Sequence, residues 1–205
     1  MARRIYFHLH CILPDYCRSY TYLCLKDIAN SKEFIIMAKI TALKKKEKNN
    51  RKIEKVSLAF QTKWGLQKLF GVIDPFVMDM VQVELECIQE LDLTQDLLLI
   101  KLLVQEVRSQ LGYEPAVDHG DFCDSIVALG LKIADISNTS LITSPAVWQD
   151  KVRNKILTIY YPDNERNKVV EYLKARGFNV STYLGKPIVK FNQLYVKVER
   201  LNNVI

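Results

Sequence analysis

Residues 155–198 read KILTIYYPDNERNKVVEYLKARGFNVSTYLGKPIVKFNQLYVKV, and their pattern predicts a small β-α-β-β module. Residues 155–161 are rich in β-branched and aromatic side chains, which is typical of a strand. Residues 164–176 have apolar side chains at helical spacing and are followed by Gly177, a residue that commonly ends helices. Two more strands are predicted at residues 178–184 and 188–198, with a turn through residues 185–187 between them.

Positive charge is concentrated in this C-terminal part of the chain. The 205 residues carry a formal net charge of +6. Residues 151–205 hold eleven Lys and Arg against four Asp and Glu, a balance of +7, which leaves −1 for the first 150 residues. Because a basic surface concentrates polyanions, the asymmetry predicts contact with nucleic acid. The candidate contact residues are the basic side chains Lys151, Arg153, Lys155, Lys174, Arg176, Lys186, Lys190 and Lys197.

Aromatic side chains are interleaved with the basic ones in the same module. They are Tyr160, Tyr161, Phe178, Tyr183, Phe191 and Tyr195. A sheet that presents aromatic and cationic side chains together can stack bases and hold phosphates. The same aromatic residues would serve equally well as an ordinary small-domain core, and the sequence leaves both interpretations open.

The first part of the chain predicts strands followed by a helix. Three strands joined by short turns are expected at residues 4–12, 19–28 and 33–40, which is typical of an antiparallel meander. The period then changes from two to between three and four, because Ile53, Val56, Phe60 and Trp64 recur at that spacing. This spacing predicts an amphipathic helix that is weakened at Gly65 and ends at Gly71, with Leu66, Leu69 and Phe70 continuing the spacing on a slightly shifted face.

The middle of the chain predicts one buried strand and two helices. We interpret residues 76–85, FVMDMVQVEL, as the strand, with a helix as the competing interpretation because Val and Met tolerate both. Thr94 is the expected N-cap of a helix over residues 95–111 that ends at Gly112. A second helix is predicted over residues 121–136.

The domain organisation follows from where the composition changes. Residues 137–150 are rich in Ser, Thr and Asn with little periodicity, so a linker is expected there. The sequence therefore predicts an α/β domain over residues 1–136 and the basic β-α-β-β module over residues 151–205.

An acidic cluster marks the predicted start of the helix at residues 121–136. Asp118, His119, Asp121 and Asp124 lie within seven residues of one another. Carboxylates are favoured at helix N-termini, so capping is one interpretation. The other is a site for Mg²⁺ or Mn²⁺, hard cations that take oxygen ligands and can activate an attacking water.

The segment HGDFCDSIVALGL at residues 119–131 resembles the last acidic motif of the RNase H-like nucleases. The likeness is to the nuclease domain of phage large terminases and to Holliday-junction resolvases, and the predicted order of elements over residues 4–136 agrees with it. The resemblance implies an RNase H-like mixed sheet with helices, Mg or Mn as cofactor, DNA rather than RNA as partner, and a metal-dependent endonuclease. The implied catalytic acids and metal ligands are Asp15, Glu84, Asp121 and Asp124, with Glu86 as an alternative to Glu84.

A second functional class stays open beside the nuclease. The chain could equally be a non-catalytic accessory protein of a virus or mobile element that binds nucleic acid or another protein. Binding of phosphates would make the affinity fall steeply with salt, which distinguishes a nucleic-acid partner from a protein partner.

Cysteine usage and hydropathy indicate the environment. Five cysteines are an odd number and show no repeated CxxC spacing, so neither a disulfide framework nor a zinc ribbon is expected. A cytoplasmic, reducing environment is the prediction. No apolar run reaches the roughly 18 residues that a bilayer span requires, and no membrane partner is expected.

Overall fold

A computed structural model describes residues 46–47, 49–137 and 145–201. The chain divides into two units, residues 1–52 and 53–205. The three predicted meander strands and Asp15 lie outside the described residues. In chain order, the described helices and strands are α1 (residues 49–70), α2 (Pro75–Glu90), α3 (Thr94–Leu111), the 3₁₀ turn Asp121–Asp124, α4 (Ile126–Gly130), α5 (Pro145–Arg153), β1 (Ile156–Pro162), α6 (Asp163–Ala175), β2 (Val180–Tyr183), β3 (Lys186–Lys190) and β4 (Tyr195–Leu201).

The protein is a mixed α/β protein in which a largely helical part precedes a four-stranded sheet. The strand order is β1-β4-β3-β2, with β4 parallel to β1 and antiparallel to β3. β2 and β3 form an antiparallel hairpin that turns through Leu184 and Gly185, both with positive φ. Two such residues in succession fit a tight hairpin turn, for which glycine is favoured. The predicted single strand at residues 188–198 is in fact two strands, because residues 191–194 leave the ladder.

Asp96 explains why the chain leaves the ladder at that point. Its fully buried carboxylate accepts hydrogen bonds from the backbone N–H groups of Asn192, Gln193 and Leu194, at 3.2, 2.6 and 2.7 Å. One side chain satisfies three backbone donors, and these bonds offset the cost of burying the Asp96 carboxylate. The β3–β4 loop is therefore fixed to the first turn of α3, about a hundred residues earlier in the chain.

The predicted strand at residues 76–85 is wrong, because these residues lie in α2. Asp74 accepts a hydrogen bond of 2.7 Å from the backbone N–H of Phe76, and Pro75 occupies the first helical position. Both features favour the start of a helix. The buried side chains recur at helical spacing and are Met80, Val81, Glu84, Leu85, Cys87 and Ile88. The described residues therefore lack the fourth strand that an RNase H-like sheet requires.

The predicted helix at residues 121–136 is interrupted at Ser125. This residue has extended backbone angles, φ −110° and ψ 119°, which separate the 3₁₀ turn Asp121–Asp124 from α4. Ser125 also caps α4, since its hydroxyl accepts a hydrogen bond of 3.0 Å from the N–H of Ala128. A serine N-cap favours a new helix start over continuation of the preceding turn.

α1 is a helix as predicted, and the face opposite its apolar stripe enters the core. The stripe Ile53, Val56, Phe60 and Trp64 is 67%, 63%, 67% and 53% exposed, respectively. Leu58, Thr62, Gly65 and Leu66 are the residues buried instead. The apolar stripe of α1 is thus its solvent-facing side.

A close contact between two glycines selects the buried face of α1. A Cβ atom on Gly65 would overlap the carbonyl oxygen of Gly130 in α4, and one on Gly130 would lie 2.6 Å from the carbonyl oxygen of Thr62. The two helix backbones therefore touch, which only residues without side chains permit. Gly65, predicted to weaken the helix, allows it to pack.

Residues 145–150, assigned above to the linker, lie in α5. Trp148 and Val152 of this helix are fully buried and belong to the hydrophobic core that also contains residues of α2, α3 and the sheet. Residues 53–205 accordingly form one compact unit, and the basic module shares its core with the preceding helices. None of the helices in the described part of the chain combines the length and apolarity needed to span a bilayer.

Candidate functional site

Glu84, one of the predicted catalytic acids, is buried inside the helical part. Its Oε2 accepts hydrogen bonds from the Ser125 hydroxyl at 2.7 Å and the Val127 N–H at 3.1 Å. Its Oε1 accepts one of 3.0 Å from the N–H of Ile126. These donors are the first groups of α4, so Glu84 caps a helix that is distant in sequence. Glu86, the alternative ligand, is exposed and bonds to Gln82 on the same helix.

Burial changes the acidity of Glu84. Desolvation raises its pKa from 4.5 to about 6, while the hydrogen bonds from Ser125, Val127 and Ile126 act in the opposite direction and are the weaker effect. Between these two pH values the folded state retains a proton that the unfolded state has released. The free energy of unfolding must therefore fall as the pH rises through this window.

We predict that Glu84→Gln abolishes part of the pH dependence of stability. In the wild type, Glu84 should lower the free energy of unfolding by roughly 1 to 2 kcal/mol between pH 4.5 and 6.5, since each pKa unit corresponds to about 1.4 kcal/mol and most of the change falls in this window. Urea unfolding at both pH values measures this difference, with the exposed Glu86→Gln as the matched control. The same pH dependence in the wild type and in Glu84→Gln would contradict the assignment.

Asp121 and Asp124 are brought together by a lysine. Lys151 Nζ lies 3.1 Å from Asp121 Oδ1 and also contacts Asp124 Oδ2. Asp121 Oδ2 accepts a further hydrogen bond of 2.8 Å from the backbone N–H of Thr158 in β1. The two acids therefore join the 3₁₀ turn to α5 and to the outer edge of the sheet, and both carboxylates engage Lys151.

The three described acids of the predicted metal site all contact protein groups. Glu84 directs its oxygens at backbone and hydroxyl donors of residues 125–127, whereas Asp121 and Asp124 share a lysine ammonium group. Within the described residues, no three His, Cys, Asp or Glu side chains are grouped as metal ligands would be. Asp15 lies outside those residues, so the predicted metal site stays a prediction.

The remaining members of the acidic cluster make local contacts. Asp118 accepts hydrogen bonds from the N–H and hydroxyl of Ser137, and these bonds lower its pKa. His119 is exposed, and its ring meets the ring of Tyr160 edge-on at 6.4 Å between centroids. Asp118 thus contacts Ser137, and His119 contacts the sheet through Tyr160.

One face of the sheet is covered. Side chains alternate along a strand and paired residues share a face, so the register assigns every side chain to one side. The covered face carries Leu157, Ile159, Tyr161, Val189, Val196 and Val198, which are buried in the core. α6 lies on this side, as the 3.3 Å ion pair between Asp163 and Arg200, the partner of Tyr161, indicates.

The other face, called the open face below, presents aromatic and basic side chains. Its members Tyr160, Tyr183, Lys186, Lys190, Tyr195 and Lys197 are exposed or half-buried. Lys190 pairs with Tyr195 across β3 and β4, and its Nζ lies 5.7 Å from the centre of that ring. Lys186 is neutralised by Glu199 at 2.7 Å. Three lysines against one glutamate leave the face with net positive charge.

The structure separates the eight predicted contact residues into groups. Lys186, Lys190 and Lys197 share the open face, and Lys174 lies on α6, on the covered side of the sheet. Lys151, Arg153 and Arg176 are bound to acidic side chains, and Lys155 donates a hydrogen bond to Gln193. The sequence could not make this separation, because it depends on strand register. The sequence also carries no signal that His119 and Tyr160 are neighbours.

Comparison with known proteins found no match. No protein-family model matches the sequence, no curated protein matches it at a significant level, and no solved structure matches it either. Its function is therefore inferred from the contacts and charges of its own residues.

Proposed function

We propose that this protein binds nucleic acid through the open face of its C-terminal sheet. The observation that carries the proposal is the convergence of Tyr160, Tyr195, Lys190 and Lys197 on one accessible face. Aromatic rings offer stacking surfaces to bases, and lysines offer charge to phosphates. The remaining surface residues of the face either lack charge or form the neutral pair Lys186 and Glu199.

The aromatic residues of the C-terminal module serve partly as core and partly as exposed surface. The sequence left open whether the tyrosines form a core or a platform, and the register divides them between the two. Tyr161 is fully buried on the covered face, whereas Tyr160 and Tyr195 are half-buried on the open face and Tyr183 is 47% exposed. Half-buried rings beside lysine side chains form an arrangement that can receive single bases and their phosphates.

Endonuclease activity is a separate proposal that the open face does not require. It depends on Asp15, Glu84, Asp121 and Asp124 holding Mg or Mn, and the three described acids are engaged in the contacts given above. Binding without cleavage is the function that the geometry favours. Any cleavage in Mg²⁺ that survives Asp124→Asn would have to arise elsewhere than at this acidic pair.

We predict that the wild-type chain binds labelled oligonucleotides with an affinity that falls about tenfold between 50 and 200 mM salt. Two or three phosphate contacts give a decrease of this size. Fluorescence anisotropy with DNA and RNA of random sequence measures it. Absence of binding to every nucleic acid at 50 mM salt would contradict the proposal and favour a protein partner.

A further inference from the structure

We infer that the open face binds single-stranded rather than duplex nucleic acid, an inference that rests on the proposed function. Tyr195 and Tyr160 lie on the adjacent strands β4 and β1 and point to the same side. Tyr160 pairs with Glu199, which is four residues beyond Tyr195 on β4. At about 3.3 Å per residue and about 4.8 Å between strands, the Cα atoms of the tyrosines are about 14 Å apart. Each ring would therefore receive a different base.

Lys197 lies between the two rings. It occupies the same face of β4, two residues from Tyr195 and two from Glu199. Lys190 stands on the far side of Tyr195, on β3. Cations placed between and beside stacking rings match a strand whose bases face the sheet and whose phosphates alternate with them.

A duplex fits this surface poorly for two reasons. A base that is paired and stacked within a helix has no free face for a tyrosine ring, so the rings could contribute only with unpaired bases. The outer strands β1 and β2 are also about 14 Å apart across the four-stranded sheet, before side chains are added. The major groove is about 12 Å wide and admits at most a helix or a two-stranded ribbon.

Ile188, at the centre of the open face, indicates that this surface is flat and has no groove in the middle. Ile188 pairs with Lys197 and is only 4% exposed, although it points to the open face and lies outside the main core cluster. In the register its neighbours on this face are Lys186, Lys190 and Lys197, whose long aliphatic stems are suited to cover it. A layer of rings and aliphatic stems is the surface on which successive bases stack.

The test compares strands of one sequence with the wild-type protein. A labelled 12-nucleotide strand should bind at least tenfold more tightly than the duplex formed with its complement at 50 mM salt. Tyr195→Leu and Tyr160→Leu should each weaken single-strand binding about tenfold or more, because each ring contributes about one stacked base. Tyr195→Phe keeps the ring and should bind as the wild type does.

Each outcome separates the inference from the function on which it rests. Equal affinity for strand and duplex would overturn single-strand binding, while leaving the proposed function in place. No binding to either form would remove both. The comparison of strand with duplex uses the unmodified chain, so it decides the matter even where a leucine variant fails to fold.

Discussion

Gly65→Ala is expected to destabilise the protein by about 3 kcal/mol, although helix propensity alone predicts the opposite sign. Alanine in the middle of an exposed helix is favoured over glycine by about 1 kcal/mol. In this fold, however, the new methyl group would occupy the position of the Gly130 carbonyl oxygen. A backbone atom cannot move aside as a flexible side chain does, so α1 and α4 must separate, and overpacking of this kind costs several kcal/mol.

Urea unfolding of Gly65→Ala beside Gln67→Ala measures this effect. Gln67 is exposed on the same helix, and its replacement should change the free energy of unfolding by no more than about 0.5 kcal/mol. If Gly65→Ala were as stable as the wild type or more stable, the contact between α1 and α4 would be incorrect, and with it the choice of the buried face of α1.

The sequence predicted the C-terminal module better than the rest because its signals are local. The strand at residues 155–161 and the helix at residues 164–176 both occur within one or two residues of their predicted ends. The break between β3 and β4 was missed because the carboxylate that causes it, Asp96, is remote in sequence. The local sequence pattern of residues 188–198 cannot indicate a hydrogen-bond partner that lies about a hundred residues away.

The helix α2 could have been predicted from its own residues. Asp74 followed by Pro75 is a strong helix start, and the apolar residues of the run also fit a period of 3.6. A largely apolar run such as residues 76–85 is also typical of a buried strand, and Val and Met tolerate both structures. The error matters because it supplied the fourth strand that the RNase H-like interpretation required.

The arrangement of the candidate residues depends on contacts and register that the sequence does not show. The sequence predicts a metal site that includes Asp121 and Asp124, and the structure adds their contacts with Lys151 and with the edge of β1. Tyr160 and Tyr161 are adjacent in sequence but point to opposite faces of the sheet. Only the register distinguishes a candidate stacking residue from a core residue in this pair.

The double variant Lys190→Glu with Lys197→Glu is expected to lose at least tenfold in affinity for a single strand at 50 mM salt. Each lysine contributes one phosphate contact in our proposal, and its reversal replaces attraction by repulsion. The slope of log affinity against log salt should also become shallower by about 1 to 2, since roughly 0.7 is expected for each contact with a single strand.

The most direct measurement of the central claim compares this variant with Lys168→Glu combined with Lys174→Glu. Both changes alter the net charge equally, but Lys168 and Lys174 are exposed on α6, on the covered side of the sheet. Anisotropy titrations of the two variants should show a loss of at least tenfold for the open-face pair and less than threefold for the α6 pair. Equal losses for both pairs would show that overall charge, and not the open face, determines binding.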